Sequence, residues 1–328
     1  MSATTSPSAG PAGPVGPVGP AGPVAAQPAR SGTPVPPARS GTRRPAAGGR
    51  TGRRVRRALL GLLAVVVAVV WAFPVYWMVL SSLLPSTRLR AATPTFLPTA
   101  TTLANYRSVL DGSGFTGALQ MSLAITLLTV LAVLVFAFFG ALAISRFRFR
   151  GRLTFVIAVL FVQMLPAEGL FIAQYKMLSS VNLLNSVVGV SILYTAAVVP
   201  FTIWMLRGFV AGVPIELEEA AMVDGLSRTR AFIRITLPLL APGLVASGVY
   251  AFLQAWNEFT VALVALPAES ARTLPLWLRS FLAASANRGV DWGEVMAAST
   301  LIAVPVIVFF LLVQGRMTSG LVSGAVKG

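Results

Sequence analysis

Four of the ten acidic residues in this chain, Glu216, Glu218, Glu219 and Asp224, fall within one stretch, ELEEAAMVDG. Two further acids, Glu168 and Glu258, interrupt long apolar runs, with Gln163 and Asn257 close by in sequence. The chemistry open to these groups is narrow, because the chain has no Cys and no His. That excludes thiol nucleophiles, imidazole bases, disulfide scaffolds and nearly all zinc chemistry. No G-x-x-x-x-G-K-[ST] phosphate loop occurs, so the chain is not expected to bind ATP itself. What remains for the acidic stretch is recognition by charge rather than bond-breaking.

The elements that must position these residues follow from composition. Of 328 residues 55% are hydrophobic, and the mean hydropathy of +0.78 favours a membrane protein over a soluble domain. Residues 1–57 contain no acid, nine Arg and five G-P-x triplets from Gly10 to Val24, and read as a disordered, polyproline-leaning cytoplasmic tail. Beyond it, apolar runs at about 58–80, 118–144, 153–175, 187–206, 243–266 and 294–314 each supply enough helix to cross a bilayer. The expectation is an all-α membrane protein whose domain, residues 58–328, has six transmembrane helices. Prolines inside the runs (Pro74, Pro166, Pro200, Pro305) are expected to kink them.

Net charge is +16. Arg and Lys are more numerous in the segments on the N-terminal side of the membrane than in those opposite, which places both termini in the cytoplasm. The basic excess is thereby mostly topological, and no aromatic interleaving or motif accompanies it that would suggest nucleic acid. Trp71, Tyr76, Trp77, Tyr175 and Trp204 read as interface belts or packing.

In this topology the acidic stretch lies in the longest internal cytoplasmic loop, about residues 207–242. Pro214 suits a first helical position, and Glu216, Glu218 and Glu219 favour the positive end of a helix dipole. Asp224-Gly225 then ends the helix, and Ser227 can cap the next. Ile215, Met222 and Leu226 share one narrow face with Glu219 at its edge, while Ala220 and Ala221 leave a flat surface. Such a helix fits docking to another protein. A helix lying among lipid headgroups is the alternative, although those usually carry Lys or Arg on the polar face.

The stretch resembles a known pattern. Glu219-Ala220-Ala221, Gly225 after three residues, and Ile235, Leu237 and Pro238 after nine more match EAA-x3-G-x9-I-x-L-P at every position. This is the EAA loop of the permease subunits of bacterial binding-protein-dependent ABC importers. FPVYWMVLSSL (73–83), SRFRFRGR (145–152), PFTIWMLRGF (200–209), AWNEF (255–259) and GLVSGAVKG (320–328) resemble the carbohydrate-uptake branch, and within it the maltose-type permeases.

The resemblance implies a permease subunit translocating a mono-, di- or oligosaccharide across the plasma membrane. It implies two copies of an ATPase subunit that carry ATP and Mg, a second similar permease forming a heterodimeric pore, and an extracellular solute-binding protein. Glu219 would make the polar contact with the ATPase, Ala220 and Ala221 would allow close approach, and Gly225 would permit the turn after Asp224. Ile235, Leu237 and Pro238 would anchor the loop to the fifth span. A permease for an amino acid, peptide or phosphate ester is the alternative.

Glu168 and Glu258 each lie 16 residues beyond a cytoplasmic marker, Arg152 and Pro242, hence ~24 Å up a helix. Buried carboxylates at that depth face a cavity or a partner. Gln163, Glu168, Asn257 and Glu258 are therefore candidates for a polar path that pairs with sugar hydroxyls; bonds to neighbouring helices, or to backbone freed by Pro166, are the equal alternative.

Overall fold

A computed structural model describes residues 48–112, 114–286 and 289–324. The chain divides into two compact units, residues 1–60 and 61–328, and all elements after the first helix lie in the second. Every regular element among the described residues is helical.

Helix α1 (Gly48–Leu83) begins inside the expected tail rather than at residue 58. No proline intervenes between Pro45 and Pro74, and the five Arg of residues 48–57 extend a helix at little cost, so the apolar span propagates backwards despite three Gly. The rest of the expected disordered tail, with its G-P-x triplets, lies outside the described residues, as do residues 325–328 of the Gly-rich end. Two short helices follow, α2 (Ser86–Leu89) and α3 (Ala104–Gly112). Asn105 ties α3 to the end of α1 by donating to the carbonyls of Ser82 (2.9 Å) and Leu84 (3.0 Å).

The second and fourth expected spans are continuous helices, α4 (Phe115–Arg146) and α7 (Val187–Gly212). They form the centre of the bundle. Val133, Ala137, Ala141 and Ile144 of α4 pack with Val198, Ile203, Leu206 and Val210 of α7, joined by Leu240 and Ala251. Thr126, Thr129, Ser191 and Thr202 are buried in the same layer. Small and hydroxyl side chains let membrane helices approach closely, since lipid supplies no hydrophobic drive between them. Gly243 shows how close: a Cβ there would stand 2.5 Å from Phe209 Cγ.

The third expected span is not one helix. Helix α5 (Arg152–Val162) has 11 residues, ~16 Å, too short for ~30 Å of hydrocarbon. A 3-10 turn (Ala167–Leu170) and α6 (Phe171–Ser180) follow. Pro166 explains the break: it has no N–H to donate, and it pushes the preceding residue out of the helical region. Pro74, Pro200 and Pro305, by contrast, sit within continuous helices.

The acidic stretch forms α8 (Glu216–Val223), and α9 (Arg228–Ala231) runs through a π-helical turn (Phe232–Thr236) into α10 (Leu237–Asn257). The fifth span thus extends over Arg228–Asn257, against the expected 243–266. It stops where Glu258 turns extended, and α11 (Thr260–Ala265) is separate. Helices α12 (Leu274–Ala286) and α13 (Trp292–Gly324) complete the chain, the last containing the sixth expected span. Five helices among the described residues, not six, are long and apolar enough to cross a membrane.

Candidate functional site

Helix α8 is set by local rules. Three glutamates in its first turn oppose the partial positive charge of the free N–H groups, worth ~0.3–1 kcal/mol each near a surface. Pro214 stands just ahead of the helix rather than in its first turn. The C-terminus closes with three bonds: Asp224 N–H to Ala220 O (3.0 Å), Gly225 N–H to Met222 O (3.0 Å) and Leu226 N–H to Ala221 O (3.1 Å). The last two make a Schellman motif, which requires a left-handed residue, and Gly225 supplies it at φ 91°. Two residues on, the Ser227 hydroxyl accepts from Arg230 N–H (3.4 Å) and starts α9.

The packing divides α8 into two sides. Glu218 and Ala221 are buried against the chain itself, while Glu219, Ala220, Met222, Val223 and Asp224 are exposed. Ala221 is therefore corrected from the expected outer surface to the inner one, where its small side chain lets α8 lie close to its own bundle. Ala220 alone of the pair presents a flat exterior. Val223, with 88% of its surface exposed, and Met222 make that exterior apolar, and Glu219 and Asp224 make it acidic.

Behind this face lies a charged contact that sequence reasoning missed. A terminal guanidinium nitrogen of Arg146, at the end of α4, stands 3.5 Å from Glu218 Oε1 and donates to Val213 O at 2.9 Å. The Thr236 hydroxyl donates to the same Oε1 at 2.7 Å. Thr236 is fully buried, and the two charged side chains are only 14% and 9% exposed. Removing one member of such a pair leaves a buried charge uncompensated, at roughly 3–5 kcal/mol. The one sequence signal was periodicity, since Glu218 and Ala221, three apart, share a helix face. Nothing local pointed to Arg146.

Ile235 lies in the π-turn, and Leu237 and Pro238 open α10. Pro238 cannot donate to the carbonyl one turn back, so the wider turn falls just before it and brings Thr236 to Glu218. Ile235 and Leu237 are half-buried and Pro238 is exposed. The loop ends at Ser227, well short of the expected residue 242, so these three belong to the N-terminal end of a long helix.

The four polar residues expected along a solute path differ in exposure and in partners. Gln163 is exposed at the end of α5, and its amide donates to Ala197 O (3.3 Å); Glu168 is exposed on the 3-10 turn. Asn257 is exposed at the end of α10 and bonds back to Leu253 O (2.9 Å). Glu258 points into the chain, where Oε1 accepts from Val261 N–H (2.8 Å) and Oε2 from Ala262 N–H (3.1 Å), capping α11. Its backbone carbonyl accepts from the Tyr194 hydroxyl (3.5 Å). No hydrogen bond or ion pair among the described residues joins the first two residues to the second two.

Comparison with known proteins fits this geometry. The family described as binding-protein-dependent transport system inner membrane component matches residues 137–322, a segment containing α8 and the Glu218 contact. The diacetylchitobiose uptake system permease protein DasC of Streptomyces coelicolor is 40% identical over 279 residues, covering 84% of this chain and 100% of that one. The trehalose/maltose transport system permease protein MalG of Thermococcus litoralis is 34% identical over 281 residues, covering 84% and 98%. A bacterial ABC transporter involved in the import of the acidic polysaccharide alginate has the same fold, with TM-score 0.68, 23% identity, and 80% and 97% of the chains covered. This multi-pass chain belongs to the family of inner membrane components of binding-protein-dependent transport systems.

Proposed function

We propose that this chain is the permease subunit of an ATP-driven importer, moves a sugar across the plasma membrane, and couples to its motor through α8. The observation that carries the reading is the two-sided helix: Glu219, Ala220, Met222, Val223 and Asp224 outward, Glu218 and Ala221 bonded and packed inward. An isolated amphipathic helix would have no reason to bury a carboxylate on its rear. A helix that must carry force into the bundle does. The sugar assignment is supported by relatives named for diacetylchitobiose and trehalose/maltose uptake.

In the proposed assembly both termini are cytoplasmic. Two ATPase subunits bind ATP and Mg, this chain binds none, and a second permease and an extracellular binding protein complete the machine. Glu219 supplies the polar contact to the ATPase, and Ala220 allows its close approach. Gly225 holds the turn after Asp224, and Ile235, Leu237 and Pro238 tie the loop to the fifth span. Closure of the ATPases then shifts the permease between inward- and outward-facing states, which requires α8 to be held differently in the two. Asn257 is the best remaining candidate for solute contact, since it is exposed and lies at the interruption between α10 and α11.

The test is an uptake screen across mono-, di- and oligosaccharides in a deletion strain and its complemented parent. Loss for one sugar class is the expected result. Loss confined to an amino acid, peptide or phosphate ester would refute the sugar assignment and leave the importer reading standing.

A further inference from the structure

Three separate parts of the chain meet at one carboxylate oxygen. Arg146 closes the inner end of α4, the central helix of the bundle. Its terminal nitrogen touches both Glu218 Oε1 on α8 and the carbonyl of Val213, which lies in the segment leading into α8. Thr236, in the π-turn near the start of the fifth span, donates to that same oxygen. Glu218 is the immediate neighbour of Glu219, so force applied to the exposed face of α8 arrives at this contact after a single residue.

We propose that Arg146, Glu218 and Thr236 are positioning residues forming a rigid joint, so that α8 moves as one body with the inner ends of α4 and the fifth span. The proposal rests on the importer reading and adds to it where, inside this chain, the motor's stroke is passed on. A buried ion pair is weak evidence for stability, because well-packed apolar residues often serve as well. Its distinctive property is direction. A guanidinium, a hydroxyl and a carbonyl at 2.7–3.5 Å fix α8 in position and rotation, as apolar contacts that slide at little cost do not. The unpartnered alternative is costly, so the joint does not open in the working cycle.

The absence of native cysteine allows a direct test. In the complete transporter, Glu216→Cys in the first turn of α8 and Phe139→Cys on the exposed side of α4 carry spin labels. The expected result is one narrow distance, identical without nucleotide and with ATP trapped. Glu218→Gln keeps the shape and an acceptor for Thr236 but removes the charge facing Arg146. It should broaden the distance, make it nucleotide-dependent, and lower solute moved per ATP about tenfold, within the usual range of coupling energies. Arg146→Lys alone, which keeps a cation opposite the native Glu218, should retain much of the narrow distance.

Thr236→Val removes only the hydroxyl and carries the test if Glu218→Gln does not assemble. A distance that already changes with ATP in the unmutated joint overturns the proposal. So does a narrow, nucleotide-independent distance with full coupling in either Glu218→Gln or Thr236→Val. A labelled complex that hydrolyses ATP but moves no solute counts against the importer reading alone, since the distances report the joint separately.

Discussion

Gly225 offers the sharpest quantitative test of the loop. Its φ of 91° lies in the left-handed region, and its N–H bonds to Met222 O at 3.0 Å. A Cβ there would meet nothing within 4 Å, so substitution costs backbone strain and not collision. For Gly225→Ala the left-handed conformation costs about 1–2 kcal/mol. That lowers the population of the native turn by roughly 5–30-fold relative to competing turns. Asn tolerates the same region and should cost less. Gly225→Pro fixes φ near −65° and deletes the donor to Met222, so the native turn cannot form; the comparable penalty in a helix is ~3 kcal/mol or more. The assay is ATP-dependent uptake in proteoliposomes, normalised to permease content, with detergent-extracted yield as a control for insertion. The expected order is Gly, then Asn, Ala and Pro, at similar yields, because the damage is confined to a loop outside the membrane. Undiminished uptake in Gly225→Pro would refute the argument that this turn geometry is required.

Three further predictions concern positions outside the loop. Glu258→Ala removes both acceptors from Val261 and Ala262 N–H and should destabilise the purified protein by about 1 kcal/mol, the usual value of a lost cap, with the KM for solute unchanged. Asn257→Ala should do the reverse, raising KM while leaving the thermal midpoint in place, and an unchanged KM would remove Asn257 from the solute path. At Gly189 a Cβ would lie 2.2 Å from the backbone oxygen of Leu183, which has no rotamer by which to retreat. Gly189→Ala should therefore cost about 1–3 kcal/mol, read as a lower midpoint of thermal unfolding in detergent.

Much of this molecule is legible from short stretches of sequence. The length and apolarity of its runs determine a helical membrane protein, because lipid offers backbone groups no other partner. The span of α8 was legible as well: three acids at one end, Asp224-Gly225 at the other and Ser227 to begin again are instructions read within a few residues. What local rules could not decide is how strongly each breaker acts. Pro200 and Pro305 remain inside helices, whereas Pro166 follows the break after α5, so the lost donor and the restricted preceding residue end a helix at one proline and are absorbed at two others. Nor could they decide which side of α8 faces in. Only the packing of α4, α7 and α10 brings Arg146 and Thr236 to Glu218 and turns Ala221 inward. Glu258, for which the sequence had left solute contact and structural bonding equally open, caps α11 through N–H groups only three and four residues on. Propensity, capping and backbone angle depend on a handful of adjacent residues and so belong to the sequence. A contact between groups far apart along the chain exists only once the bundle has formed, and the joint behind α8 is of that kind.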